Sequence, residues 1–161
     1  MENKEILRNK KILAVDDEPD VLEIVQEALA PCEISTADSY ESAKQLISTG
    51  SFDLVLLDIM GVNGFALLEL CRERQIPAAM LTANAINVDS VNKALNLGAI
   101  SFLPKDELAN IADHLAEMLE GLAQGKSHWR RLFDRLGPFF SDRLGLTWEN
   151  IGKPRNPPYM Y

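Results

Sequence analysis

The chain is poor in cysteine, nearly free of aromatics over most of its length, and without a long apolar run. Its two cysteines, Cys32 and Cys71, form no CxxC pair. That excludes a disulfide framework and a thiolate metal cage, and leaves two small core residues in a reducing compartment as the expectation. No stretch approaches the ~20 apolar residues of a membrane helix. Residues 1–11, MENKEILRNKK, lack the apolar stretch and small-residue cleavage site of a secretory signal. The expected location is therefore cytoplasmic. A phosphate-cradling loop is missing too: neither GxGxxG nor GxxxxGK[ST] occurs, and the turn after the first apolar run reads Val15-Asp16-Asp17-Glu18-Pro19. Carboxylates there disfavour a dinucleotide or flavin site. Positive charge is in deficit, with 16 Lys plus Arg against 24 Asp plus Glu and a net charge of −8. Nucleic acid and anionic membrane are poor default partners for such a chain.

What is present is an ordinary globular composition, 47% hydrophobic and 25% charged over 161 residues. That suits one domain with a short appendage. Charge and aromatics place the boundary. Residues 1–125 hold 9 basic and 21 acidic side chains and four aromatics; residues 126–161 hold 7 basic, 3 acidic and seven aromatics. We divide the chain into an N-terminal extension (1–9), a main domain (10–125) and an aromatic, basic C-terminal extension (126–161).

The main domain alternates short apolar runs with helical spacing. Ile12–Val15 reads as a strand. Pro19 stands where a first helical turn tolerates it, and Val21, Ile24, Val25, Ala28 and Leu29 follow on one helix face. Glu33–Ala37 is a weaker strand; Asp38 and Glu41 are spaced as a capping box for the next helix. Asp53–Leu57 is the clearest strand, and Asn63-Gly64 then turns the chain. Leu67, Leu70 and Cys71 share a helix face. Pro77–Leu81, a helix through Val88, Val91 and Leu95 closed by Gly98, Ile100–Leu103, and a last helix from Leu108 to Leu122 complete the pattern. Five such units predict an α/β fold with a five-stranded parallel sheet covered on both faces. Sites in such sheets form beyond the carboxyl ends of the strands.

Those ends carry Asp16 and Asp17, Asp58, Thr82, and Lys105. One Asp at a strand end is usually a turn former or a cap. Three carboxylates, a hydroxyl and a lysine at one edge call for another reason. Crowded carboxylates need a cation between them or a raised pKa. A few oxygen ligands suit Mg2+, with Mn2+ as a substitute. A carboxylate beside a cation and a lysine can act as a nucleophile toward a phosphoryl donor.

The segments Lys11-Ile12-Leu13-Ala14-Val15-Asp16-Asp17-Glu18, Leu56-Leu57-Asp58-Ile59-Met60, Met80-Leu81-Thr82-Ala83 and Phe102-Leu103-Pro104-Lys105 resemble the receiver domain of two-component response regulators over about residues 10–122. The resemblance implies a doubly wound, flavodoxin-like (βα)5 fold. It implies that Asp58 accepts a phosphoryl group from a histidine kinase or phosphotransfer protein. Mg2+ would be held by Asp17, Asp58 and the Met60 backbone carbonyl, with Asp16 acting through a water. Thr82 and Lys105 would contact the phosphoryl group, Phe102 stands at the switch aromatic, and Met60 and Asn84 stand where the family tunes water access. Two departures stand out. The loop from Asp58 to Gly64 is two residues shorter than the family pattern and lacks its proline, and Asp106 rather than proline follows Lys105. Asp106 is expected to cap the last helix.

The C-terminal extension is too short for a usual DNA-binding output domain. Trp129, Leu132, Phe133 and Leu136 have helical spacing, and 153–159 reads as extended and proline-stiffened. It is expected to pack on the acidic main domain or to close a homodimer, either itself or through helix 4, strand 5 and helix 5. The sharper possibility is an output element that docks on or leaves the domain upon phosphorylation. Nucleic-acid binding through Arg130, Arg131, Arg135 and Arg143 ranks last. The sequence thus predicts a receiver-only response regulator that assists its own phosphotransfer without being an enzyme, signalling to an output protein. The alternative is a phosphate-independent adaptor or dimerisation module.

Overall fold

Continuous apolar strands demand cover on both sides, and the computed structural model supplies it. It describes residues 2–83 and 88–126, together with positions 129, 132, 134, 137, 138, 141 and 142. Asn84, Arg130, Arg131, Phe133, Arg135, Leu136, Arg143 and the 153–159 stretch lie outside the described residues.

The elements run β1 (Lys11–Val15), α1 (Pro19–Ala28), β2 (Glu33–Ala37), α2 (Tyr40–Thr49), β3 (Leu54–Asp58), α3 (Gly64–Glu73), β4 (Ala78–Thr82), α4 (Val88–Asn96), β5 (Ser101–Pro104) and α5 (Ile111–Gln124). All pairings are parallel and the strand order is β2-β1-β3-β4-β5. β3, β4 and β5 are buried at every position, as apolar runs covered on both faces must be. β2, at one edge, alternates exposed and half-buried residues before Ala37. The order reverses direction beside β1, so the carboxyl ends of β1 and β3 flank the crevice where ligands bind in such sheets.

Several local readings need correction. α2 is capped by Ser39, whose Oγ accepts the Ser42 N–H at 3.2 Å, rather than by an Asp38/Glu41 box. Asp38 and Ser39 are both good caps, and the chain enters the helix one residue later than the pattern suggests. Ile24 is 42% exposed, while Val21, Val25 and Leu29 are buried. Asp106 is not the N-cap of α5, a position that Asn110 holds: it lies in the first turn of a 3-10 segment, Lys105–Asn110, that precedes α5. Leu108 belongs to that segment, and α5 starts at Ile111. Replacing Ser39 with Ala is expected to cost about 1 kcal/mol. A lower urea midpoint at unchanged m would register it.

The core takes in residues at both ends of the described chain. Leu7, in a 3-10 turn at Glu2–Leu7 that packs on α5, is fully buried, and so are Trp129 and Leu132 beyond α5. Cys71 is buried and Cys32 half-buried; burial pushes the Cys71 thiol up to about 12, and burial with the Asp53 charge pushes Cys32 up to about 11. Both stay protonated and behave as core residues. Among the described residues, no helix is long and apolar enough to cross a membrane.

Candidate functional site

The strand ends meet in an open cavity of about 430 Å³, lined by Asp17, Glu18, Asp58, Ile59, Met60, Gly61, Thr82, Ala83 and Lys105. Asp16 lies beneath it, fully buried. β1 delivers Asp16 and Asp17 in the turn before α1, β3 ends on Asp58, β4 ends on Thr82, and Lys105 follows β5 directly. Asp58 and Thr82 are each 5% exposed, whereas Asp17 is exposed. The structure thus gathers Asp16, Asp17, Asp58, Thr82 and Lys105 at one edge of the sheet, with Met60 on the loop beside them. Phe102 is fully buried and does not line the cavity.

Lys105 holds the site's charge in balance. Its Nζ lies 2.9 Å from Asp16 Oδ2, 3.2 Å from Asp58 Oδ1 and 2.7 Å from Glu18 Oε1. Burial alone would lower its pKa; the contacts with Glu18, Asp16 and Asp58 outweigh burial and hold the ammonium protonated above its ordinary range. Burial raises the Asp16 pKa, and the Asp58 charge adds to the rise, against the lowering pull of Lys105 and the Glu18 N–H. That N–H donates to Asp16 Oδ1 at 2.9 Å and fixes the carboxylate. The Gly61 N–H donates to Asp58 Oδ2 at 3.2 Å, so each oxygen of Asp58 already faces a donor. The Thr82 hydroxyl, at the cavity wall, donates to the Ala83 carbonyl at 3.0 Å.

The donor set fits a hard divalent cation. Asp16, Asp17 and Asp58 each offer a carboxylate oxygen, and the three atoms lie within 4.8 Å of one another. Asp16 Oδ2 is buried without an aligned hydrogen bond, its contact with Lys105 being ionic. Gly61 shapes the rim. A Cβ built there would collide with the Asp17 carboxylate, so the short loop passes Asp17 only because glycine stands at that position. Gly64 likewise brings the start of α3 onto the Asp58 carbonyl, after Asn63 turns through the left-handed region at φ 55°.

Two residues of this site carry no signal along the chain. Glu18 reaches Lys105 across 87 positions of sequence, and an acid at a helix start reads as a cap partner. Gly61 reads as part of a turn, and its closeness to Asp17 follows only from the strand order.

A family model described as the response regulator receiver domain matches residues 12–117. The two-component response regulator ARR18 of Arabidopsis thaliana is 36% identical over 117 residues, which are 66% of this chain and 18% of that protein. The response regulator protein PilR of Pseudomonas aeruginosa is 34% identical over 105 residues, 62% of this chain and 23% of that protein. The chain therefore spans well under half the length of these two curated relatives. A crystal structure of a response regulator from Thermotoga maritima superposes with a TM-score of 0.63 at 19% identity, covering 70% of this chain and 98% of that one. At that identity the match speaks for the fold alone.

Proposed function

This chain belongs to the response regulator receiver family, and we propose that Asp58 is its phosphoacceptor in a divalent-metal-dependent phosphorelay. The observation that carries this reading is Lys105 Nζ at 3.2 Å from Asp58 Oδ1, in a cavity that Asp17 and Glu18 also line. An Asp58 oxygen attacks the phosphorus of the donor and forms a P–O bond. The bond from phosphorus to the donor's nitrogen or oxygen breaks, and the donor atom leaves with that electron pair. From a phosphohistidine of a histidine kinase or phosphotransfer protein, the leaving imidazole takes up a proton from solvent. Lys105 meets the negative charge gathering on the transferring oxygens, since its ammonium remains protonated. The Thr82 hydroxyl, freed from the Ala83 carbonyl, donates to an oxygen of the attached group. Gly61 N–H keeps the second oxygen of Asp58 in place.

Asp17, Asp58 and the Met60 carbonyl would hold Mg2+ or Mn2+, with Asp16 acting through a water. When bound, the cation offsets the charge of the crowded carboxylates and of the incoming oxygens. Receiver domains are signalling proteins, and on this reading the chain assists its own phosphorylation without being an enzyme. The division into 1–9, 10–125 and 126–161, the switch role of Phe102 and contact with an output protein belong to the same proposal.

Intact mass after incubation with a small-molecule phosphodonor tests it. One phosphoryl adduct with Mg2+ and none without is the expected result; no adduct from either a small donor or a phosphorylated partner would refute it. Mg2+ is also expected to stabilise the fold, by about 2.7 kcal/mol at a hundredfold excess over its Kd. Asp17→Asn should lose most of that increment, as read from thermal unfolding with and without the metal.

A further inference from the structure

Glu18 stands at the start of α1 without capping it. Its carbonyl accepts from the N–H groups of Val21 and Leu22, but its side chain makes no bond to the helix's own N–H groups. A carboxylate at a helix start is ordinarily drawn to those groups. Here it turns the other way, and Oε1 accepts from Lys105 Nζ at 2.7 Å. That is the shortest of the three carboxylate contacts of the ammonium. Asp16 Oδ2 follows at 2.9 Å, without an aligned hydrogen bond, and Asp58 Oδ1 at 3.2 Å.

The shortest contact thus belongs to the most exposed partner. The Glu18 side chain is 61% exposed, that of Asp16 1%. The three partners differ in what they lose with the lysine. Asp16 would be left as a buried, uncompensated charge. Asp58 is the reacting group: once its oxygen bonds to phosphorus, the negative charge lies on the phosphoryl oxygens, and the ammonium follows it. Glu18 passes to water at little cost, as exposed ion pairs do.

We propose that Glu18 is a positioning residue that occupies Lys105 in the unphosphorylated chain and yields it to the phosphoryl oxygens, and so competes with the phosphoryl group for the lysine. The proposal rests on the phosphoacceptor reading and deepens it. Glu18 lines the same cavity as Asp58 and Lys105, so the exchange is one of side chains. It stands outside the three carboxylates whose oxygens cluster for a cation. In the exchange a lysine N–H leaves Glu18 Oε1 for a phosphoryl oxygen, and water takes its place at Glu18. No proton is transferred. The hold on the phosphoryl group is then weaker than the lysine would give without its tether.

The test uses the full chain at saturating Mg2+, with beryllofluoride as the phosphoryl stand-in and its binding followed by fluorine NMR. Glu18→Gln keeps the shape of the side chain and removes its charge. It is expected to bind the stand-in about two- to fivefold tighter than the parent, the range that loss of an exposed ion pair gives. Glu18→Asp keeps the charge, loses one carbon of reach and favours capping of α1. It should show a gain of the same size, because the contact and not the charge is at issue. With nitrogen-labelled lysine, the Lys105 Nζ resonances of the parent and Glu18→Gln should differ in the free chains and coincide when beryllofluoride is bound. Bound fluoride with both variants within about twofold of the parent, or a gain confined to Glu18→Gln, would overturn the role of Glu18 alone. So would bound Nζ resonances that stay as far apart as the free ones. Absence of bound fluoride in the parent and both variants would overturn the phosphoacceptor reading and this proposal with it.

Discussion

Asp58→Asn is expected to end phosphoryl uptake, lowering the adduct formed with a small donor and Mg2+ by more than about 10³-fold, since nucleophile loss in group transfer costs that much or more. The amide matches the carboxylate in shape and lacks its nucleophilic charge. Its carbonyl oxygen can still face Lys105 or the Gly61 N–H, where Oδ1 and Oδ2 now stand. Folding stability without metal should stay within about 1 kcal/mol, because the lost ion pair is matched by relief from Asp16 and Asp17. A variant that keeps the parent's circular dichroism and urea midpoint while losing the adduct places the defect in the chemistry. Retention of the adduct would move the acceptor to another residue.

Gly61→Ala is expected to weaken Mg2+ binding by about 10- to 100-fold, the size usual for losing support of a metal ligand. The loop from Asp58 to Gly64 runs so close to β1 that a single added methyl meets the Asp17 carboxylate. Either Asp17 swings into solvent or the loop moves outward and takes the Gly61 N–H from Asp58. Both outcomes cost a group the site uses. Position 61 is an exposed loop residue, so metal-free stability should change by less than about 1 kcal/mol. Calorimetric titration with Mg2+ reads the affinity directly; an unchanged Kd would mean that Asp17 does not hold the cation.

The sheet was legible because its strands are uninterrupted apolar runs, and such runs alternating with amphipathic helices have one common solution. Its carboxyl edge followed, and with it the positions of Asp16, Asp17, Asp58, Thr82 and Lys105. What the sequence hid has physical reasons. Ser39 and Asp38 are adjacent and both able to cap, so pattern alone chose the wrong one. Ile24 sits at an apolar helical position yet faces solvent, because helical spacing gives a face's direction only to within a residue. Glu18 meets Lys105 through space, not through spacing. The burial of Trp129 needed a surface as well as a pattern: aromatic residues after Gly125 imply that something covers them, and only the fold shows that Ala99 and Phe102 do. Leu7 was hidden likewise, since the adjacent pair Ile6 and Leu7 in a charged N-terminal stretch carries no periodicity.

The most direct test of the account locates the phosphoryl group in the unaltered chain. Borohydride reduces an acyl phosphate on aspartate to homoserine, which peptide mass spectrometry places along the sequence. The account predicts homoserine at position 58 after treatment with phosphodonor and Mg2+, and none when either is withheld. Homoserine at position 16 or 17, or at no position in a chain that carries the adduct, would contradict it.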